Sequence, residues 1–366
     1  MEGTKPRTAS SIGMFDMLKG AGMLTIVFAH TAELYPMQAV SGLSLTAFFP
    51  FIYREALIAS GYGFRKRSIH KCIHQQLKSL LKPYAYTALF TCVLHFIIHY
   101  KTFQYLPGTI GESIKVTGGF LLGLPHTAEY FGQEFFSCGP MWYLLALMVG
   151  WVLLDVILNI FPERYVPWAV AGCVLLGWGA SLVWELPFCL IQGAVVVPYL
   201  YIGFLAKKKQ LLDEPLPPEV FAGLLAATAL IAVGALATRT TDCISLAKWS
   251  LGPLSIFLDG AAGLLFIRLF MRLSRGHGPI VHFLEAVGRR SLNIFCVHTV
   301  EIIAIPWYLM VAKFSAQPVL GMWLQYAIAL GSIWLVCELL RVRRALIIRF
   351  FPAQRRTPAV HYTSRH

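Results

Sequence analysis

Long apolar runs joined by short loops are the feature that most constrains this chain. A helix needs about 20 mostly apolar residues to cross the hydrocarbon core of a bilayer. Backbone groups inside lipid must be hydrogen-bonded within their own segment, so repeated runs of this kind predict helices. The sequence therefore predicts an all-α, polytopic membrane protein with about ten transmembrane helices. The ten segments are roughly 14–35, 44–64, 83–100, 140–160, 166–184, 186–206, 217–237, 250–271, 290–311 and 317–340.

The composition supports this class and excludes others. Hydrophobic residues make up 57% of the 366 residues and charged residues 13%, whereas soluble domains carry about 25% charged residues. A soluble two-domain enzyme and a disordered chain are excluded. The eight cysteines are scattered, with no Cys-x-x-Cys spacing, so neither a zinc site nor a disulfide framework is expected. The first apolar run lacks a small-residue cleavage motif and is interpreted as a span, not a signal peptide.

The charge distribution predicts the orientation. A net charge of +13 in a soluble chain would raise the question of nucleic acid, but in a membrane protein basic residues accumulate in cytoplasmic loops. With the N-terminus inside, 25 of the lysines and arginines fall in cytoplasmic segments and 5 outside, and Arg54 remains within the second span. Both termini are therefore expected in the cytoplasm, with the bilayer and not nucleic acid as partner.

The domain organisation is expected to be simple. Residues 1–340 form one membrane domain, and 341–366 form a basic cytoplasmic tail that lies on anionic headgroups. The longest external stretch, about 101–139, is rich in glycine, proline and aromatic residues and is too apolar for a plain linker. It is expected to fold back onto the protein as a lid or re-entrant segment.

Four ionisable residues lie on one face of the first span. His30 follows Lys19 by eleven residues, which is 20° past three full turns at 100° per residue, and the two lie about 16 Å apart along the axis. Asp16 precedes Lys19 by three residues, and Glu33 follows His30 by three. Ionisable groups in hydrocarbon normally face a bundle interior or a wet cavity. This stripe predicts that the first helix lines a cavity.

Simpler interpretations stay open for each residue. Lys19 can snorkel to the headgroups, with Asp16 as its partner one turn away. A single intramembrane histidine can be a hydrogen-bonded packing residue. The common face of all four is what favours a functional site.

Several motifs, in order, carry a resemblance to a known family. The segment Asp16-Met17-Leu18-Lys19-Gly20 followed by His30 resembles the opening signature of the acyltransferase family 3 membrane proteins, and is similar to their fucose 4-O-acetylase-like branch. SGYGF at 60–64 followed by KSLLKPY at 78–84, GPMWYLLAL at 139–147 and GRRSLNIFCVHTVE at 288–301 resemble later family segments. The chain departs from the family where Lys19 replaces the commoner arginine, and where Lys78 and Lys82 stand in place of paired arginines.

The resemblance implies an acyl-CoA-dependent membrane O-acyltransferase. The acyl group, expected to be acetyl, would pass from acyl-CoA to a hydroxyl of a cell-envelope or exported glycan, at the inner (plasma) membrane. His30 is the leading candidate for the general base, because the pKa of histidine lies near working pH. Glu33 would orient it, and Lys19 would contact the donor phosphates or pair with Asp16. No metal is expected: His95 with His99, and His70 with His74, lack a third ligand at a telling spacing.

Other candidates come from loops and later spans. A cytoplasmic cluster of cations can bind the phosphates of CoA or serve topology alone; its members are Arg65, Lys66, Arg67, Lys71, Lys78 and Lys82. His298 and Glu301, three residues apart in the ninth span, are expected to form a second polar wall of the cavity. Trp142 is either an interfacial anchor or a cavity aromatic that stacks on sugar or adenine.

Two other classes of function share features with this sequence. A transporter or flippase for a small polar or glycolipid substrate also has polar residues in helices broken by glycine and proline. An inverted repeat would favour transport, and the sequence shows none. A glycan polymerase or ligase typically displays charged outer loops, whereas this chain carries only five external cations. Release of free CoA separates an acyltransferase from a transporter.

Overall fold

The computed structural model describes residues 12–35, 49–212, 215–240, 242–273 and 278–350. These ranges are helical apart from loops and one small hairpin. The strands are β1 (Ala128–Tyr130) and β2 (Gln133–Phe135), paired antiparallel with Glu129 opposite Glu134. The α-helices are α1 Ile12–Glu33, α2 Phe49–Tyr62, α3 Ile69–Gln76, α4 Lys82–Phe103, α5 Leu106–Leu122, α6 Trp142–Ile160, α7 Val166–Ser181, α8 Leu190–Lys208, α9 Pro218–Thr238, α10 Pro253–Leu273, α11 Pro279–Gly288, α12 Ser291–Ala304, α13 Tyr308–Lys313 and α14 Pro318–Phe350.

The predicted helical membrane class is confirmed. Among the described residues, six helical segments are long and apolar enough to cross a membrane: Ile69–Phe103, Gly139–Ile160, Pro187–Lys208, Pro218–Thr238, Pro253–Arg272 and Pro318–Arg343. Each of the ten predicted segments contains a helix, but the segment 290–311 is divided between α12 and α13. The count of ten spans and the cytoplasmic termini stay predictions. The start of the second segment and the end of the tail, residues 351–366, lie outside the described residues.

Helix α8 forms the centre of the bundle. Its side chains from Val195 to Leu200 are buried, and α2, α6, α7 and α10 pack around it. A helix that is apolar on every side either lies in a protein core or spans a membrane. Here the four surrounding helices shield it from lipid. The helices around it expose their outer faces, as expected of a surface that faces lipid.

Helices α1 and α11 cross in close contact. Gly20 of α1 lies against the backbone of Leu284, and Gly288 of α11 lies against the backbone of Asp16. Small residues at membrane helix crossings let backbones approach closely. The predicted spans 250–271 and 290–311 leave α11 in the loop between them, because a ten-residue helix is too short to stand out as a span.

The stretch 101–139 contains the end of α4, then α5 and the hairpin. It packs on the bundle: the hydroxyl of Tyr84 in α4 donates to the carbonyl of Phe120 in α5 at 2.6 Å, and the hydroxyl of Tyr130 in the hairpin donates to the carbonyl of Glu185. Its role as a lid or re-entrant segment stays a prediction. We call the end of the bundle that carries this hairpin the hairpin end. At the opposite end, the basic-loop end, the N–H of Arg67 donates to Asp155 at 3.0 Å, and the side-chain amide of Asn159 donates to the Arg67 carbonyl at 2.8 Å.

Candidate functional site

A large cavity of about 1240 Å³ lies at the hairpin end. Six parts of the chain line it: the end of α1, one residue of α2, the outer half of α4, the segment from α5 through the hairpin to the start of α6, the loop 239–248, and the junction of α12 with α13. Under the predicted orientation these are external parts of the protein. The cavity is therefore built from segments far apart in sequence, which only the packing of the helices brings together.

His30 and Glu33 line this cavity from the last turn of α1. The Nδ1 of His30 lies 3.4 Å from Oε2 of Glu33, whose side chain is 58% exposed. The Nε2 of His30 is buried and, among the described residues, has no hydrogen-bond partner. The imidazole thus presents one nitrogen beside a solvated carboxylate and one in the protein interior.

His298 and Glu301 of α12 lie directly behind His30. The ring centroids of His30 and His298 are 5.6 Å apart. The Nδ1 of His298 lies 2.9 Å from Oε2 of Glu301, and the two side chains are 1% and 6% exposed. Neither residue lines the cavity; their neighbours Ile302 and Ile303 do. The pair predicted as a polar wall is instead a buried layer beneath the cavity surface.

Arg54 reaches the cavity from α2 and is held by α10. Its Nη1 lies 2.7 Å from Oδ1 of Asp259, with side chains 3% and 1% exposed. A buried cation in a membrane bundle requires such a partner. The sequence places Arg54 within the second span but indicates no role for it, because its carboxylate partner is 205 positions further along the chain.

Loop residues complete the cavity rim. His126 donates from Nδ1 to the carbonyl of Ser245 at 3.0 Å, and its Nε2 lies 3.7 Å from Oε2 of Glu185. Glu185 lies between α7 and α8, outside the spans. Burial raises the pKa of this carboxyl above its ordinary value, while the charge of His126 acts in the opposite direction. These contacts join three loops over one side of the cavity.

Two histidines of α4 also line the cavity. His99 lies 2.9 Å through Nδ1 from the hydroxyl of Thr109, and its ring centroid is 5.6 Å from that of His95. Within the described residues, no group of three or more His, Cys, Asp or Glu side chains is placed to hold a metal. Sequence reasoning considered these histidines only as metal ligands and did not assign them to the cavity.

The structure divides the predicted stripe of α1. Asp16 and Lys19 form an ion pair of 3.5 Å in the half of the helix away from the cavity. Lys19 is 44% exposed on its side chain and Asp16 is 9% exposed. Neither residue lines the cavity, so the four ionisable groups form two pairs at different depths.

The other predicted residues separate in the same way. Trp142 is buried at the start of α6 and lines the cavity. The five cations predicted to hold the donor do not line it. They lie at the basic-loop end, where Arg67 is half-buried and the others are exposed: Arg65, Lys66, Lys78 and Lys82.

Comparison with known proteins identifies the family. No curated protein and no solved structure matches the chain. The family model described as an acyltransferase domain matches residues 12–342, nearly the whole chain. This match confirms the family resemblance seen in the motifs, although not the fucose 4-O-acetylase-like branch. With its apolar helices, the chain is a multi-pass membrane protein and belongs to the acyltransferase family 3.

Proposed function

We propose that this membrane acyltransferase moves an acetyl group from acetyl-CoA to a hydroxyl of a cell-envelope or exported glycan, with His30 as general base. The observation that carries the proposal is the pairing of His30 with Glu33 on the wall of the large cavity. The acceptor would occupy this cavity, and the donor would approach from the basic-loop end. The proposed location is the plasma membrane, with the hairpin end outside the cell.

The cavity suits a polar acceptor larger than a single small molecule. Ligand pockets commonly measure about 300–1000 Å³, and this one is about 1240 Å³. Its lining mixes aromatic surface with charged side chains, among them Trp142, Arg239 and Lys248. A sugar can stack its ring on aromatic faces and form hydrogen bonds through its hydroxyl groups, so this lining suits a sugar.

The chemistry needs a base beside the acceptor hydroxyl. The hydroxyl proton passes to Nδ1 of His30, because Nε2 is buried whereas Nδ1 lies beside the solvated carboxylate of Glu33. The hydroxyl oxygen then bonds to the thioester carbonyl carbon. When the tetrahedral intermediate collapses, the carbon–sulfur electron pair leaves with the CoA sulfur, which takes up the proton. Glu33 stabilises the imidazolium while it holds that proton.

The donor side rests on the cations of the basic-loop end. Lys19 lies about 16 Å from His30 along α1, too far to polarise the same carbonyl. CoA carries its thioester on a long flexible arm, so its phosphates can lie near Lys19 and the loop while the acetyl group reaches His30. Basic side chains bind phosphates through charge-assisted hydrogen bonds.

A labelling assay tests the proposal. Purified protein in nanodiscs receives acetyl-CoA labelled in the acetyl group and an extracted cell-envelope glycan fraction. CoA release is followed with a thiol reagent. Acetylation of the glycan is followed by its label and by its increase in mass. We expect label in the glycan, and a loss of at least about 10²-fold in rate for His30→Gln, the usual contribution of a general base.

The control is His70→Gln, an exposed histidine of α3 remote from the cavity, which should keep wild-type activity. Full activity in His30→Gln at matched protein amounts would remove His30 from the mechanism. Movement of glycan across vesicles without CoA release would replace the acyltransferase reaction with transport.

A further inference from the structure

The buried pair of His298 and Glu301 has no place in a mechanism with a single base. It does not line the cavity, and it lies inside a bundle where apolar side chains would pack at less cost. The Nε2 of His298 is buried and, among the described residues, has no hydrogen-bond partner. A histidine with a purely packing role would be expected to have a hydrogen-bond partner for this buried nitrogen.

A proton can pass between two histidines only if one nitrogen carries a hydrogen and the other a lone pair. His298 donates from Nδ1 to the Glu301 carboxylate at 2.9 Å, which leaves a lone pair on Nε2. If Nδ1 of His30 accepts the substrate proton, its Nε2 carries the hydrogen. Both Nε2 atoms are buried, and the rings are neighbours at 5.6 Å. The relay requires that a rotation of either ring, or one water molecule, connects the donor on His30 to the acceptor on His298.

We propose that His298 is a positioning residue that receives the proton relayed through His30, with Glu301 compensating the charge. This proposal rests on the proposed function. As Nδ1 of His30 takes the acceptor proton, its Nε2–H passes to Nε2 of His298. The positive charge then lies beside the Glu301 carboxylate, and His30 is neutral again. The proton returns by the same path to the departing CoA sulfur, so the net products are the O-acetyl ester and free CoA.

Conservative substitutions separate a relay from a structural role. His298→Asn keeps a polar atom near the Nδ1 position, and His298→Gln keeps one near Nε2, but neither side chain can be protonated. Glu301→Gln keeps the size and removes the charge. A structural role predicts that these variants retain activity, and a relay predicts that they do not. The matched control is Thr299→Val, a buried neighbour on α12 whose hydroxyl donates to the carbonyl of Phe295 in its own helix at 2.9 Å.

The variants are purified in nanodiscs and assayed with labelled acetyl-CoA and the glycan fraction that the wild type labels. We expect kcat to fall about 10²-fold in His298→Asn, His298→Gln and Glu301→Gln, with the KM for acetyl-CoA changed by less than about twofold. Melting temperatures should stay close to that of the wild type. Thr299→Val should keep its kcat.

Wild-type kcat in His298→Gln or in Glu301→Gln would overturn the relay. A fall in kcat that follows a fall in melting temperature, or that Thr299→Val shares, would return the pair to a packing role. Failure of the proposed function has a different signature: the wild type itself would then label no glycan.

Discussion

Arg54 and Asp259 form an ion pair of 2.7 Å between α2 and α10 in which both side chains are almost completely buried. Arg54 also lines the large cavity. The pair therefore fixes a positive group at the cavity floor and joins two helices that are far apart in sequence.

Removing one partner of this pair should destabilise the protein. Asp259→Asn leaves the Arg54 cation buried without its carboxylate, and breaking a buried pair costs about 3–5 kcal/mol. We expect a clear fall in the melting temperature of the detergent-solubilised protein. The control is Glu163→Gln, which breaks the exposed pair with Lys208 and should leave the melting temperature nearly unchanged, because exposed ion pairs contribute little to stability. Equal effects of the two substitutions would show that burial of the Arg54 pair is unimportant.

The crossing of α1 with α11 should tolerate no side chain at Gly288. A β-carbon there would overlap the backbone oxygen of Asp16, so Gly288→Ala must push the two helices apart. We expect a loss of about 1–3 kcal/mol, as for other overpacked sites, together with reduced acyl transfer because α1 carries His30. Thermal unfolding and the labelling assay measure both effects.

Gly172→Ala is the matched control for that crossing. Gly172 lies within α7 with open space around the position of a β-carbon. Alanine is favoured over glycine inside a helix by roughly 0.5–1 kcal/mol, so this variant should be as stable as the wild type or slightly more so. A stability loss in Gly172→Ala as large as that in Gly288→Ala would contradict the steric explanation.

Glu185 should make stability depend on pH. Burial raises the pKa of this carboxyl in the folded protein above its ordinary value of 4.5. The folded state then binds the proton more tightly than the unfolded state, so this group's contribution to stability is present at low pH. It is lost as the pH rises from about 4.5 through the raised pKa.

Glu185→Gln should therefore flatten the pH dependence. The variant should gain stability relative to the wild type as the pH increases above 4.5, and melting temperatures across the pH range measure this difference. Glu129→Gln, an exposed acid of the hairpin, should leave the wild-type curve unchanged. The opposite trend, with Glu185→Gln least stable at high pH, would mean that the attraction of His126 outweighs burial.

The cations of the basic-loop end should govern donor affinity. Lys78→Ala combined with Lys82→Ala is expected to raise the Kd for acetyl-CoA about tenfold, since a hydrogen bond to a charged group is worth about 1.5–3 kcal/mol. Calorimetry at low and high salt measures the affinity and its screening. Lys101→Ala removes an exposed cation at the other end of α4 and should not change the Kd. If Lys101→Ala raises the Kd for acetyl-CoA as much as the double variant does, the effect is one of overall charge.

The sequence alone determined the class of this protein. Apolar runs of membrane length predict helices wherever they occur, because lipid offers the backbone no hydrogen-bond partner. The spacing of Lys19 and His30, with the later motifs, was enough to predict the family, which the match over residues 12–342 confirms. Local spacing also paired Asp16 with Lys19, His30 with Glu33, and His298 with Glu301, since residues three apart are neighbours on a helix.

Only the tertiary structure decided which residues remote in sequence lie next to one another. It placed His298 beside His30, joined Arg54 to Asp259, and brought His126 to Glu185 across three loops. It also separated Lys19 from the cavity that His30 lines. These relationships depend on how helices remote in sequence pack against one another. Periodicity reports which face of a helix is polar, but it does not report which other helix that face will meet.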